Sequence, residues 1–112
     1  GEVAHIRLVT QVLPLYDHYQ LAVGHIPETE RPAEWVQGIL HINKAFEDFL
    51  KSLSVAPISA DGQDFNPEFH EAVGEEESAL PEGQIVKVVQ KGYIMNEKVI
   101  LPAKVIIAKS KR

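Results

Sequence analysis

The chain has 112 residues, 45% of them hydrophobic, carries a formal charge of −5 and contains no cysteine. That is enough for one ordinary domain or two very small ones, and the apolar share excludes disorder throughout. The negative balance argues against nucleic acid as the main partner, and the missing cysteines exclude a disulfide framework, a thiolate nucleophile and a cysteine zinc site.

From the N-terminus, Leu8, Val12, Leu15, Tyr19 and Ala22 recur at alternating spacings of four and three, which is one heptad stripe of a helix. Ile6, Val9, Leu13 and Tyr16 form a second stripe beside it, so the apolar face is too wide for a single neighbour. Pro14 falls inside the pattern and predicts a kink; Gly24 and Pro27 predict the helix end. A polar loop over 25–31 follows, and Pro32 suits the first turn of a second helix. Trp35, Ile39, Ile42, Phe46, Phe49 and Leu53 make that helix's core stripe, widened by Val36, Leu40 and Leu50. A hairpin of two such helices leaves apolar surface wet, which predicts pairing of two chains into a four-helix bundle.

The helical period stops near Val55 to Ser59. Turn-forming residues at Ala60 to Asp64, at Asn66-Pro67 and at Pro81 to Gly83 separate β-branched runs. Ile85 to Val89 and Val105 to Ala108 read as strands, and Tyr93 to Met95 and Lys98 to Ile100 flank an Asn96-Glu97 hairpin turn. Pro102 marks a strand edge or bulge. The expected architecture is α+β: an antiparallel helical hairpin over 1–55, forming a dimeric four-helix bundle, then a small, mainly antiparallel β domain over 56–112. Charge is segregated within that domain. Asp61 to Gly83 holds eight acids and no lysine or arginine, whereas Gln84 to Arg112 holds seven basic residues and one acid. Such runs are usually solvated faces, and otherwise steer a protein partner.

Residues that would carry chemistry are poorly arranged for it. His5, His18, His25 and His41 have no His-Glu-x-x-His spacing, although His18 and His41 could face each other across the hairpin. His70-Glu71 with Glu75, Glu76 and Glu77 imitates a ligand set, but reads more simply as a histidine bonded within a turn beside a solvated acidic loop. Ser52, Ser54, Ser59, Ser78 and Ser110 lie outside any Gly-x-Ser-x-Gly context, and Glu47-Asp48 sits on a polar helix face. No glycine-rich loop precedes a helix, so neither a bound nucleotide nor any other cofactor or metal is expected. No apolar run approaches the roughly 20 residues of a membrane span and no signal peptide is visible, so no membrane partner is expected. With the cysteine-free composition, this points to the cytoplasm.

Two blocks are more specific than any of these patterns: Phe65-Asn66-Pro67-Glu68-Phe69-His70-Glu71-Ala72-Val73, and Gly92-Tyr93 with Asn96 to Ile107. Together they resemble the signature of the GrpE family, the nucleotide exchange factors of DnaK-type heat-shock chaperones. Leu13-Pro14-Leu15-Tyr16-Asp17-His18-Tyr19 is similar to the family's Leu-Pro-x-x-Asp-x-Phe stretch, and Ser54 to Ile58 to its Gly-Val-x-x-Ile junction, with serine replacing glycine. Leu101 stands where the family usually carries arginine, lysine or glutamine, and Lys98 where arginine is common.

The resemblance implies a homodimer that performs no covalent step. Its β domain would enter the cleft of the chaperone's ATPase domain, open it and speed ADP release. The implied contacts are Lys98 at the hairpin, an apolar patch of Val89 and Ile107 on adjacent strands, and Pro67 and Phe65 supporting or joining that surface. Leu8, Val12, Leu15, Tyr19, Trp35, Ile39, Ile42 and Phe46 would form the dimer interface. Gly92 reads as a backbone requirement rather than a contact. The resemblance also implies a long coiled coil upstream of Gly1. A dimeric binding or scaffolding module of the same fold, without exchange activity, is the alternative, and the substitutions at Lys98 and Leu101 motivate it.

Overall fold

The helical periods of the first half form two helices and the β-branched runs of the second half form strands, in an α+β computed structural model that describes residues 2–110. The chain forms two compact units that meet between Ser54 and Val55 in sequence.

In the helical unit, α1 (Glu2–Gly24) continues through Pro14, even though that residue cannot donate to the preceding turn. Past Gly24 the chain tightens through bonds from the His25 and Ile26 amides to the Ala22 and Val23 carbonyls. A 3-10 turn, Glu28–Glu30, occupies part of the expected loop, and Arg31 pairs with Glu28 across it at 3.4 Å. Helix α2 is Glu34–Ser52. Pro32 lies ahead of it rather than in its first turn. The Ala33 amide donates to the Glu30 carbonyl, which commits Pro32 to a turn, and Ala33 itself is the extended N-cap whose carbonyl accepts from the Gln37 amide.

Side-chain pairing fixes the helices as antiparallel. Tyr16 stacks on Phe46 with ring centroids 4.8 Å apart, and the Gln20 and Asn43 amides bond each other one turn away. Partial burial, and then the nearby carboxylates of Glu47 and Asp17, push the Tyr16 phenol above its usual pKa. The two stripes of α1 have different fates. Val9 and Leu13, from the second stripe, are buried, whereas Leu8 and Leu15, from the first, are more than half exposed. Helix α2 corrects its expected core: Val36 and Leu50 are buried, while Trp35, Ile42 and Phe49 point to solvent. Periodicity finds both apolar rows of a helix, but only the rotation of the partner helix selects which row is covered. His18 and His41 do not meet, because the pairing of residues 16 with 46 and 20 with 43 sets them at different levels.

The junction turns sharply at Ser54, which has φ +62° and donates its amide to the Lys51 carbonyl, an αL helix end made without glycine. Six strands follow: β1 (Val55–Pro57), β2 (His70–Glu77), β3 (Ile85–Gln90), β4 (Tyr93–Met95), β5 (Lys98–Leu101) and β6 (Ala103–Lys109). They form two three-stranded sheets, ordered β1-β4-β5 and β2-β6-β3. Pairing is antiparallel except between β2 and β6, which run parallel. The acidic stretch after His70 is therefore an edge strand and not a loop. Its glutamates point outward while its backbone completes the ladder to β6, and Glu76 reaches Lys87 of β3 at 3.6 Å.

Asn96 and Glu97 both have positive φ, +51° and +67°, and turn β4 into β5 as expected. Pro102 breaks the chain between β5 and β6. The core of this unit is Ala60, Ile85, Ala103 and Val105, with Ile58, Phe65, Val88 and Ile107 packed around it.

Candidate functional site

The two sequence blocks converge on one backbone segment. His70 pairs with Ala103 in the ladder, and the Ala103 amide donates to the Phe69 carbonyl at 3.0 Å. Gly92 lies against the same place: a Cβ there would stand 2.3 Å from the Ala103 nitrogen and 2.7 Å from the Pro102 carbonyl carbon. Glycine is required because backbone, not a movable side chain, occupies the space.

Asn66 organises the first block. Its carbonyl accepts from the Phe69 and His70 amides, and its side-chain oxygen accepts from the Glu68 amide at 2.9 Å. Pro67 sits at the second position of this turn, where its fixed φ is already suitable. The Asn66 amide, left over, donates to Nδ1 of His70 at 2.9 Å. Nε2 of His70 bonds the Ser59 carbonyl at 3.1 Å, and the residue is 5% exposed. The histidine thus ties the turn to the segment that leaves β1, as expected of a histidine bonded within a turn.

Above this clamp lies a groove of about 650 Å³. Pro57, Ile58, Phe65, Pro67, Phe69 and Ile94 give it apolar walls, and Ser59, Gln63, Asp64 and Asn66 give it a polar rim. Phe65 and Phe69 flank the imidazole, with centroids 6.0 and 6.4 Å from it. Such a surface can accept an apolar side chain and fix its orientation through the rim.

The structure distributes the expected contact residues over two places. Phe65 and Pro67 share the groove, Phe65 half-buried against the core and Pro67 exposed. Lys98 is exposed at the start of β5, opposite Met95. By strand alternation it shares a face with Met95 and not with Ile94, which lines the groove. Among the described residues no ion pair engages Lys98.

Val89 and Ile107 belong to the other sheet, and no single apolar patch joins them. Ile107 pairs with Ile85 and packs on the core, whereas Val89 lies near the opposite end of β3, in the register shift between Val88 and Gln90, 58% exposed. The antiparallel register itself keeps them apart: Ile107 lies opposite Ile85, whereas Val88 and Gln90, which bracket Val89, lie opposite Val105 and Lys104. Ile58, Phe69 and Ile94 complete the groove without having been singled out in sequence. The expected interface residues Val12, Ile39 and Phe46 are half-buried, and Leu8, Leu15, Tyr19, Trp35 and Ile42 are exposed. Among the described residues no three His, Cys, Asp or Glu side chains assemble for a metal, and no described helix is long and apolar enough to cross a membrane.

Comparison with known proteins agrees with both blocks. The family model for GrpE matches residues 3–109, across both units. A protein from Fusobacterium nucleatum described as "Protein GrpE" is 40% identical over 104 residues, covering 92% of this chain and 52% of that relative. Proteins of the same description from Pseudomonas putida and Syntrophobacter fumaroxidans are each 34% identical, over 93% and 96% of this chain and 57% of their own lengths. The chain spans about half the length of these curated relatives. With a match that spans residues 3–109, from the helical hairpin past the Asn66-Pro67 turn and Gly92, the chain belongs to the GrpE family.

Proposed function

We propose that this chain is the dimerising and chaperone-binding portion of a nucleotide exchange factor for a DnaK-type chaperone in the cytoplasm. Two copies pair through the outward stripes of α1 and α2 into a four-helix bundle, and the β unit binds the chaperone's ATPase domain. The protein acts by binding and not by catalysis. It accelerates ADP release only if it binds the open form of the ATPase domain more tightly than the closed form, because differential affinity alone shifts such an equilibrium. A hundredfold preference corresponds to about 2.7 kcal/mol, within reach of a few buried side chains and one charged contact.

The observation that carries this reading is the family match over residues 3–109, which includes the helical unit as well as the β unit. Lys98, Phe65, Pro67, Val89 and Ile107 are the proposed contacts: Phe65 and Pro67 through the groove, Val89 and Ile107 as separate apolar points on the other sheet, and Lys98 as the charged part. A scaffolding module without exchange activity is the second reading, favoured by Leu101 and Lys98 at positions where the family carries other side chains. Release of a fluorescent ADP analogue from a DnaK-type chaperone separates the two. Faster release on adding this protein supports exchange; unchanged release at saturating protein, despite measurable binding, supports the scaffold. Lys98→Ala is expected to weaken binding about fivefold without altering the melting temperature, as for loss of one solvent-exposed ion pair. A variant that binds as the wild type does removes Lys98 from the surface.

A further inference from the structure

His70 is a buried imidazole, and its two hydrogen-bond partners assign different roles to its ring nitrogens. The Asn66 amide at 2.9 Å is a main-chain N–H, which can only donate, so Nδ1 must present a lone pair. The Ser59 carbonyl at 3.1 Å can only accept, so Nε2 must carry the proton. Both bonds are satisfied together by one tautomer, with the hydrogen on Nε2. A proton added at Nδ1 would set two N–H groups against each other at contact distance, and one of them would have to move. Asn66 is the movable side, and it is also the hub whose carbonyl and side-chain oxygen set the turn carrying Pro67, with Phe65 immediately before it.

The charged groups on the elements around the ring are Asp61, Asp64 and Glu68 in the preceding loop, Glu71 on β2 and Lys104, its register partner on β6. Asp64 lines the same groove and favours a cation, but it is exposed and screened by water, whereas the donor–donor opposition acts at contact distance.

We propose that His70 is the positioning residue of the groove, that its neutral ring is the working state, and that protonation releases the Asn66 turn and weakens docking at Phe65 and Pro67. The binding half of this inference rests on the function proposed above; the structural half does not. Two measurements keep them apart. The Asn66 amide resonance of the free protein is followed by NMR as the pH is lowered, together with the His70 ring signals. Separately, affinity for a purified DnaK-type ATPase domain is measured at neutral and mildly acidic pH for the wild type and for His70→Asn. That variant sets a non-titrating oxygen where Nδ1 accepts.

The expected result is an Asn66 amide that moves with the same midpoint as the imidazole. Wild-type affinity falls roughly fivefold more than that of His70→Asn, about one net hydrogen bond. The comparison cancels titration of the chaperone itself. An Asn66 amide that stays in place while His70 protonates overturns the positioning role, and so does a His70→Asn variant with the wild-type pH slope. A wild-type chain that binds no ATPase domain at neutral pH overturns the docking reading, and the amide titration then decides the role of His70 by itself.

Discussion

Ser54 and Gly92 show opposite relations between a residue and its backbone. At Ser54 a side chain is present where the conformation favours none: φ +62° places its Cβ against the carbonyl in the left-handed region, at a cost of about 1–2 kcal/mol. Part of that is offset in glycine by greater freedom in the unfolded chain, so Ser54→Gly is expected to stabilise the protein by about 0.5–1 kcal/mol. A higher urea midpoint at unchanged slope would show it, and an unchanged or lower midpoint would refute the strain.

At Gly92 the conformation is ordinary and the space is missing. Gly92→Ala places a methyl group on the Pro102–Ala103 backbone and is expected to cost about 3 kcal/mol, at the upper end for overpacking. Gly74→Ala is the control. Its Cβ would meet Ile106 Cδ1 at 2.9 Å, the far end of a flexible side chain, so about 1 kcal/mol is expected. Equal losses for the two variants would contradict the distinction between backbone and side-chain contact.

Among the elements, the β4–β5 hairpin was readable from sequence because a turn dipeptide sat between two short β-branched runs. The structure adds that Glu97, with φ +67°, occupies a position glycine would fill without strain. Glu97→Gly is accordingly expected to raise stability by about 1 kcal/mol, measured by thermal melting. Strand β2 was not readable, for a physical reason. Glu71, Glu75, Glu76 and Glu77 have poor strand propensity and no alternating apolar face, so their pattern is that of a solvated segment. What holds them in a strand is the backbone ladder to β6, a long-range and parallel pairing that leaves no local signature.

The groove was half readable. Asn66-Pro67 and His70 announce a tight turn, but Ile94 joins its wall only because β4 pairs with β1. On α2, Lys44 bonds Asp48 one turn along at 2.6 Å, and this bond holds the Asp48 carboxyl below its usual pKa. A depressed carboxyl contributes stability above its unfolded pKa and loses it as pH falls through the folded value. Asp48→Asn should therefore lower the melting temperature slightly at neutral pH and not at all in strong acid. Because both side chains are exposed, added salt should shrink even the neutral-pH effect.

At the scale of the whole molecule, the outstanding feature is apolar surface that one chain does not cover. Leu8, Leu15 and Ile42 are 60%, 67% and 63% exposed, and they belong to the heptad rows whose neighbouring rows already fill the contact between α1 and α2. A hairpin this small gains little from its own core, so a stable fold requires those rows to be covered. Pairing of two copies would do so symmetrically, each substitution then acting twice in one interface. Replacing a fully buried leucine or isoleucine by serine loses about 2 kcal/mol. Ile42→Ser is accordingly expected to cost about 4 kcal/mol per dimer, or roughly a thousandfold in dissociation constant.

Sedimentation equilibrium at micromolar protein should show a dimer for the wild type and dissociation for Ile42→Ser. The melting temperature of the wild type should rise with protein concentration, since association stabilises only the folded state. A wild-type chain that is monomeric, fully helical and concentration-independent in its melting would require some other cover for Leu8, Leu15 and Ile42. It would also remove the symmetric bundle from the proposed mechanism.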